Sequence, residues 1–114
     1  MPPSIAIVIR EDPTKSHRAV EALRIALGLS TGGNPLTVIL LDRAPLLLSK
    51  DLDAIVDGDT LERYIPALKE LAPIFVVQSG ARTRLPLDAD FHVREEPAYE
   101  IASLIAQADR VLVF

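Results

Sequence analysis

The chain has 114 residues, of which 49% are hydrophobic and 25% charged, and this is the size and composition of one globular domain with its own core. A net charge of −4 with interleaved acids and bases leaves no basic patch for nucleic acid, and the absence of cysteine excludes disulfides, thiolate metal sites and a thiol nucleophile. No apolar run is long enough to span a bilayer, and the first residues lack the basic segment of a signal peptide, so we expect a cytoplasmic protein.

Strand and helix patterns alternate along the first half of the chain. Residues 4–9 and 36–41 are short apolar runs of the kind that form strands buried on both faces. Between them, Thr14 or Ser16 is predicted to cap a helix that ends at the glycine- and proline-containing residues 30–35. After the second strand, a stripe at helical spacing predicts a helix that ends at Asp57-Gly58; its members are Leu48, Leu52, Ile55 and Val56.

Another helical pattern follows directly. The sequence DTLE resembles a capping box, with Asp59 predicted as the cap and Glu62 three residues later, and such side chains satisfy free N–H groups at the start of a helix. Pro66 lies inside the pattern and removes one backbone hydrogen bond, so we predict a kink or a restart of the helix there. The apolar residues at helical spacing are Leu61, Tyr64, Ile65, Leu68 and Leu71.

Three further strands and one more helix complete the predicted elements. Residues 74–77, 91–93 and 111–114 are predicted as strands. Pro97 suits the first turn of the last helix, where its missing N–H costs nothing. We interpret Glu95 and Glu96 as acids that complement the dipole at this helix N-terminus. The apolar stripe of the helix is Ile101, Leu104, Ile105 and Ala108.

Strands that alternate with helices predict an α/β fold. We expect a three-layer sandwich with a mainly parallel sheet of about five strands, helices on both faces and right-handed crossovers. Residues 1–114 are predicted to form a single domain. The functional loops of such a sheet follow the carboxyl ends of its strands, which here are residues 10–14, 42–45 and 78–87.

The end of the third predicted strand carries the candidate site. The apolar run stops at Gln78 and Ser79, and Arg82 and Arg84 follow. Guanidinium groups make forked hydrogen bonds to carboxylate or phosphate. The two arginines are therefore candidates for an anion site, and the favoured interpretation is that they are solvated residues of a loop.

Other chemistries find little support in the residues. Glu11 and Asp12 stand where a response-regulator receiver binds magnesium, but the phospho-acceptor Asp and the Lys that a receiver also needs are lacking at the later strand ends. A Ser79 nucleophile would need His17 or His92 as its base, and no Gly-x-Ser-x-Gly elbow surrounds it. The two histidines are isolated in the sequence, so we predict no metal site.

The sequence resembles the DsrE/DsrF-like (TusBCD-like) small sulfurtransferase family over nearly its whole length. The resemblance rests on three stretches of the chain. Residues 5–48 have the strand, polar loop, alanine-rich helix, second strand and leucine-containing segment of the family. Residues 74–87 match its third strand and the following loop, and residues 105–114 match its terminal helix and strand, including the Ala-Asp-Arg. It implies the DsrE-like α/β fold. In active members of the family, a cysteine at the end of the third strand carries a persulfide, and basic residues follow it.

This chain departs from the family at the place of that cysteine. The position falls on Gln78, or on Ser79 if the turn is one residue longer, while Arg84 keeps a basic residue and Pro86 replaces a glycine. Neither an amide nor a serine hydroxyl supplies the thiolate that persulfide transfer needs. The resemblance therefore implies a chain without sulfurtransferase activity of its own.

The resemblance also implies partners. Family members form homotrimers and hexamers, and non-catalytic TusB- and TusC-like chains assemble with a cysteine-bearing chain in a sulfur relay. We therefore expect a homo-oligomer, or a hetero-oligomer with a cysteine-bearing DsrE-like chain, and we expect no cofactor, membrane or direct nucleic-acid binding. The alternative is a small-anion or small-ligand binding protein, or an enzyme of non-sulfur chemistry, with a pocket at Gln78, Ser79, Arg82 and Arg84.

Overall fold

Five short strands, four of them mostly apolar, form a parallel β-sheet in the computed structural model of this protein, which describes residues 2–70 and 74–114. The order across the sheet is β4-β3-β2-β1-β5, and every neighbouring pair is parallel. Isoleucine, valine and leucine dominate the three central strands, because β-branched and aliphatic side chains pack well on a pleated surface. The strands are β1 Ile5–Ile9, β2 Leu36–Leu40, β3 Ile74–Gln78, β4 Val93–Glu96 and β5 Arg110–Val113.

The helices of the described residues lie on both faces of this sheet. They are α1 Arg18–Ser30, a 3₁₀ helix Ala44–Leu48, α2 Gly58–Glu70, α3 Ala81–Arg84 and α4 Ala98–Gln107. Helices α1 and α2 pack against each other and against one face. Helix α4 leads from β4 at one edge to β5 at the other and packs on the opposite face. This arrangement confirms the predicted α/β fold with helices on both faces of a parallel sheet.

Two apolar clusters hold the layers together, because alternate residues of each strand point to opposite faces. The larger cluster joins α1, α2 and the 3₁₀ helix to strand residues such as Ile7, Val38 and Phe75. The buried members of the smaller cluster are Val8, Ile39, Val76 and Ile101. Phe75 is 1% exposed and meets Phe91 edge to face, with ring centroids 5.9 Å apart.

The prediction of a helix that ends at Asp57-Gly58 is wrong. The buried 3₁₀ helix follows β2 instead, and residues 49–57 form turns and irregular backbone. The Asp53 N–H donates to the Asp51 carboxylate at 2.9 Å, a local contact that competes with helical backbone bonding. Leu48 and Ile55 are buried nevertheless. Their burial explains why this segment shows the spacing of a helical stripe.

The predicted helix starts also differ from the structure. Asp59 is not a cap, because α2 begins at Gly58 and follows Asp57, whose φ of 61° is left-handed. Gly58 is required there, since a Cβ would lie 2.6 Å from the Leu52 carbonyl oxygen. Helix α2 continues through Pro66 without a restart, and Leu71 of its predicted stripe lies outside the described residues.

The start of α1 lies later than either predicted cap. The N-cap position is His17, with no side-chain capping bond. Ser16, the residue before the N-cap, accepts a hydrogen bond through Oγ from the Arg18 N–H at 3.2 Å. It therefore satisfies a backbone donor of the first turn of α1. Thr14 donates its N–H and hydroxyl to Asp12 and belongs to the preceding turn.

Strand β4 is displaced toward the C-terminus relative to the predicted residues 91–93. It pairs with β3 through Val93 to Glu96, so Glu95 and Glu96 are strand residues and not acids of the first turn of α4. An edge strand tolerates charged side chains because one of its sides faces solvent. Pro97 occupies the N-cap position of α4.

None of the helices within residues 2–70 and 74–114 combines the length and apolar character needed to cross a membrane.

Candidate functional site

The carboxyl ends of β1, β2 and β3 meet along one edge of the sheet, which we call the carboxyl edge. The loop residues there are joined by backbone contacts: Leu41 N–H donates to the Ile9 carbonyl at 2.9 Å, and Ser79 N–H donates to the Glu96 carbonyl at 3.0 Å. A cavity of about 440 Å³ opens at this edge. Its walls include Thr14, Arg43 and Arg84, one from each loop that was predicted to be functional.

Gln78 ends β3 and is half-buried. Its side-chain oxygen accepts a hydrogen bond from the Asp42 N–H at 3.4 Å, which links the ends of β3 and β2. Asp42 has a φ of 56°, a left-handed conformation that Asp adopts more readily than most residues. The Gln78 amide thus supports the backbone of the carboxyl edge, and it offers neither a nucleophile nor a titratable group.

Ser79 and Gly80 form the turn between β3 and α3. The Ser79 side chain is exposed, and within the described residues no hydrogen bond joins its hydroxyl to a base. Gly80 has a φ of 89°, so a side chain here would strain the backbone. The Glu95 carboxylate accepts hydrogen bonds from the Gly80 N–H at 3.5 Å and the Arg82 N–H at 3.1 Å. Glu95 therefore caps α3 from β4.

The two candidate arginines point to different surroundings. Arg82 donates through Nη2 to the Val93 carbonyl oxygen at 3.3 Å, so its guanidinium lies against β4. Arg84 lines the carboxyl-edge cavity, and no ion pair engages it within residues 2–70 and 74–114. Of the four predicted site residues, Arg84 is the one in the wall of this cavity.

Arg43 lines the same cavity and was not singled out from the sequence. Its Nε lies 3.3 Å from the Asp12 carboxylate, which is 19% exposed. The signal that could have identified it is its place directly after a buried strand, in a loop of the carboxyl edge. The cavity thus has two guanidinium groups and the carboxylates of Asp51 and Asp53 in its walls. Among the described residues, Arg43 is paired with Asp12 and Arg84 has no ion pair.

The charge of Asp12 is maintained by its neighbours. Burial by itself would raise the pKa of this carboxyl, but hydrogen bonds from the Thr14 hydroxyl at 2.7 Å and the Thr14 N–H at 2.9 Å, with Arg43 and Lys15 nearby, bring the pKa below its ordinary value. Asp12 is therefore ionised at neutral pH and offsets the charge of Arg43. This leaves Arg84 as the cation available to an anion in the cavity.

The histidines lie apart from any cluster of candidate ligands. His17 occupies the N-cap position of α1, and His92 is an exposed residue just before β4. Over residues 2–70 and 74–114, no group of three or more His, Asp or Glu side chains is arranged to hold a metal ion.

Comparison with known proteins supports the architecture of the chain. No protein-family model matches this chain, and no curated protein sequence does. A crystal structure of the YchN protein from E. coli, which has a DsrE/DsrF-like fold, is similar over 100% of both chains, with a TM-score of 0.77 and 22% sequence identity. At this identity the likeness concerns the fold. The chain therefore has the DsrE-like α/β fold, and it has this fold without a cysteine.

Proposed function

We propose that this chain is a non-catalytic DsrE-like protein that serves as an oligomeric subunit or binding protein in sulfur trafficking in the cytoplasm. The observation that carries the proposal is the carboxyl end of β3. In the family that the sequence resembles, a persulfide-bearing cysteine stands there, and here Gln78 makes a hydrogen bond to the Asp42 backbone instead. The fold is kept, while at Gln78, one of the two positions at which that cysteine could fall, an amide supports the backbone.

Ser79 is the other position at which the cysteine could fall. Its side chain is exposed, and its place in the Gly80 turn is held by backbone hydrogen bonding to β4. A serine hydroxyl near neutral pH carries almost no negative charge unless a base activates it. We therefore expect no sulfurtransferase activity from the chain acting alone, whichever of the two positions corresponds to the family cysteine.

Support for an assembly comes from β5 and α4. The large apolar side chains with notable exposure are Tyr99 at 77%, Val111 at 40%, Leu112 at 39% and Val113 at 57%. Strand β5 is an edge strand, so its outer backbone groups are not paired by another strand of the described sheet. An apolar edge strand is a suitable surface for another subunit. The partner is a second copy, in a trimer or hexamer, or a cysteine-bearing DsrE-like chain.

The activity part of the proposal is tested with a cysteine desulfurase and cysteine. The chain is incubated with both, and protein-bound sulfane sulfur is measured by mass spectrometry. We expect none on the unmodified chain. The variants Gln78→Cys and Ser79→Cys serve as controls, because a thiol at the position of the family cysteine is expected to take up sulfur. Sulfane sulfur on the unmodified chain would contradict the proposal.

The assembly part is tested by light scattering at micromolar concentration, where we expect a mass well above that of one chain. Affinity capture from the native host then separates the two kinds of partner. Recovery of a cysteine-bearing DsrE-like chain supports the hetero-oligomer, and recovery of the chain alone at a multiple of its mass supports the homo-oligomer. A monomer in both experiments would contradict the subunit role.

A second candidate function is binding of a small anion at the carboxyl edge. Arg84 and Arg43 in the walls of the 440 Å³ cavity favour it, against the two carboxylates of Asp51 and Asp53, which line the same cavity. Titration with inorganic sulfate, followed by backbone amide NMR shifts, is expected to move signals of the three loops, and Arg84→Gln is expected to abolish the effect. Arg82→Gln is the matched control, since Arg82 bonds to the Val93 carbonyl and does not line the cavity. Equal loss in both variants would contradict this function.

A further inference from the structure

A larger cavity lies between α2 and the segments that follow the 3₁₀ helix and α3. Its volume is about 540 Å³. This falls within the range of sites that bind small molecules, about 300–1,000 Å³. Its walls include Glu62, Ile65 and Lys69 of α2, together with Asp88 and Phe91. We call it the α2 cavity. It shares Ser49, Asp51 and Asp53 with the carboxyl-edge cavity, but Arg43 and Arg84 do not line it.

The charged groups around the α2 cavity are mainly acidic. Four carboxylates and two ammonium groups line it, a formal excess of two negative charges; they are Asp51, Asp53, Glu62, Asp88, Lys50 and Lys69. Lys69 is already engaged, with its Nζ 3.2 Å from Asp88 and 3.5 Å from Asp90. Asp51, Asp53 and Glu62 have no ion-pair partner in the described part of the chain. The cavity therefore favours a positively charged ligand over an anion.

One wall of the cavity already holds an ammonium group of the protein itself. The Lys69 Nζ lies 5.2 Å from the centroid of the Phe91 ring. At this distance the negative face of an aromatic ring attracts a cation. Phe91 is only 3% exposed, and Leu52, Ile65 and Pro66 extend the apolar surface beside it. The combination of carboxylates with an apolar wall suits an ammonium group attached to a carbon chain.

A buried hydroxyl in the same wall has no hydrogen-bond partner. Ser49 is 6% exposed and lines the cavity, and its Oγ is a buried side-chain atom without a partner among residues 2–70 and 74–114. Unsatisfied buried polar atoms are rare in native proteins, because each loses its hydrogen bonds to water without compensation. A ligand that donates an N–H would satisfy the Ser49 oxygen.

We propose that the α2 cavity binds a small organic cation, a primary amine on a short aliphatic chain. Its ammonium group is held by the carboxylates at the opening, Glu62 first among them, and its methylene groups lie against Ile65, Pro66 and Phe91. Ser49 accepts a hydrogen bond from the amine. This site borders the carboxyl-edge cavity through Ser49, Asp51 and Asp53, but Arg43 and Arg84 are not part of it, and it stands or falls independently of the proposed function.

The test uses three probes with the same five-carbon chain: 1,5-diaminopentane, the neutral 1,5-pentanediol and the anionic glutarate. Each is titrated into the full chain and followed by backbone amide NMR shifts. We expect the diamine to move signals of α2 and of residues 49–53 and 88–91, and the other two to leave them unchanged. Because the carboxylates at the opening are exposed, raising the ionic strength to about 0.5 M is expected to weaken diamine binding several-fold.

Two variants and one control locate the site. Glu62→Gln removes an exposed carboxylate and is expected to weaken diamine binding about two- to fivefold. Ser49→Ala removes the unpaired hydroxyl and is expected to weaken it about fivefold. Glu70→Gln, on the same helix but outside the cavity wall, is the matched control and is expected to leave binding unchanged.

Several results would overturn the proposal. Stronger binding of glutarate than of the diamine would show that the cavity selects anions. Diamine shifts confined to the loops around Arg43 and Arg84 would place the amine in the other cavity. Equal weakening by Glu62→Gln and Glu70→Gln would show attraction to the acidic surface in general, and no shift with any probe would show that the cavity holds only solvent.

Discussion

The two faces of the sheet are covered very differently. One face lies under α1, α2 and the 3₁₀ helix, whose buried residues join the sheet in a single large cluster. The other face is packed against the 10-residue helix α4. The cluster formed there is smaller and has four buried residues. The same strands thus contribute one half of their side chains to a deep core and the other half to a shallow one.

Strand β5 makes the difference larger. Val111 and Val113 pair with Ala6 and Val8 of β1, so they lie on the face of α4, yet they are 40% and 57% exposed. An apolar residue buried in a core contributes stability to the chain itself, whereas one left exposed can do so only in an assembly. We infer that the α1–α2 face stabilises the single chain and that the α4 face, with β5, is the surface available for association. The predictions below test this division, beginning with the largest effect.

Truncation at the centre of the larger cluster is expected to have the largest effect. Phe75→Ala removes a ring that is 1% exposed and packs against Phe91. The loss in the free energy of unfolding is expected to be about 3–5 kcal/mol, because a cavity remains where the ring was. Urea unfolding measures it. Phe75→Leu keeps most of the volume and is expected to cost less than about 1.5 kcal/mol. Equal losses would show that the volume removed at Phe75 does not determine the cost.

The equivalent truncation on the α4 face is expected to cost less. Ile101 is 4% exposed, but the residues around it include the half-buried Leu104 and Ile105. Ile101→Ala is therefore expected to lower the free energy of unfolding by about 2 kcal/mol, and Ile101→Val by about 1 kcal/mol. The same urea unfolding measures both variants at one protein concentration. A loss as large as that of Phe75→Ala would contradict the division between the two faces.

A charge on β5 is expected to disrupt the proposed assembly and to leave the chain folded. Val113→Asp places a carboxylate on a side chain that is 57% exposed, so the stability of the single chain is expected to change by only about 0.5 kcal/mol. Light scattering is expected to show a fall in mass to one chain, because an unpaired charge in an apolar interface is costly. Ala89→Asp, an exposed loop position, is the control and is expected to keep the mass. An unchanged mass for Val113→Asp would exclude β5 as the interface.

The position of the strands could largely be predicted from the sequence, and their place in the sheet could not. Continuous apolar runs such as residues 5–9 and 74–77 indicate strands wherever they fall, because a parallel sheet is covered on both faces. The run at residues 111–114 has the same composition, yet it forms an exposed edge strand. Exposure depends on the order of strands in the sheet, and one chain's hydrophobic pattern carries no information about that order.

The candidate site shows the same limit. Gln78, Ser79 and Arg84 were expected at the carboxyl edge because they follow a buried strand, and the structure places them there. The orientation of Arg82 toward β4 could not be foreseen, since it depends on where β4 pairs with β3. The capping of α3 by Glu95 depends on the same pairing, which is why Glu95 was assigned to the wrong helix.

The smallest expected effect concerns polar contacts, in which the two faces also differ. On the α1–α2 face, Lys69 of α2 pairs with Asp88, whereas within the described residues no ion pair joins α4 to the rest of the chain. The hydrogen bond to Asp88 raises the pKa of Lys69 above its ordinary value. The Asp90 N–H lowers the pKa of Asp88 below its ordinary value, and Lys69 adds to this against the opposing effect of burial.

These two shifts set the pH range in which the pair stabilises the fold. A carboxyl whose pKa is lowered by folding contributes stability above its unfolded pKa, and this is lost as the pH falls through the folded pKa. An amine whose pKa is raised by folding contributes stability below its unfolded pKa, and this is lost as the pH rises through the folded pKa. The pair therefore contributes from about pH 4 to about pH 10, the ordinary pKa values of the two groups.

Lys69→Met keeps the packing of the side-chain stem and removes the charge, so its comparison with the unmodified chain isolates the pair. We expect the unmodified chain to be slightly more stable between about pH 4 and pH 10, with the difference shrinking outside this range. Urea unfolding at a series of pH values measures it. Arg63→Met, an exposed cation on the same helix without an ion pair in the described structure, is expected to show a smaller, flat difference. A Lys69→Met difference that stays constant into strong acid would mean that α2 is held by apolar packing alone, as α4 is.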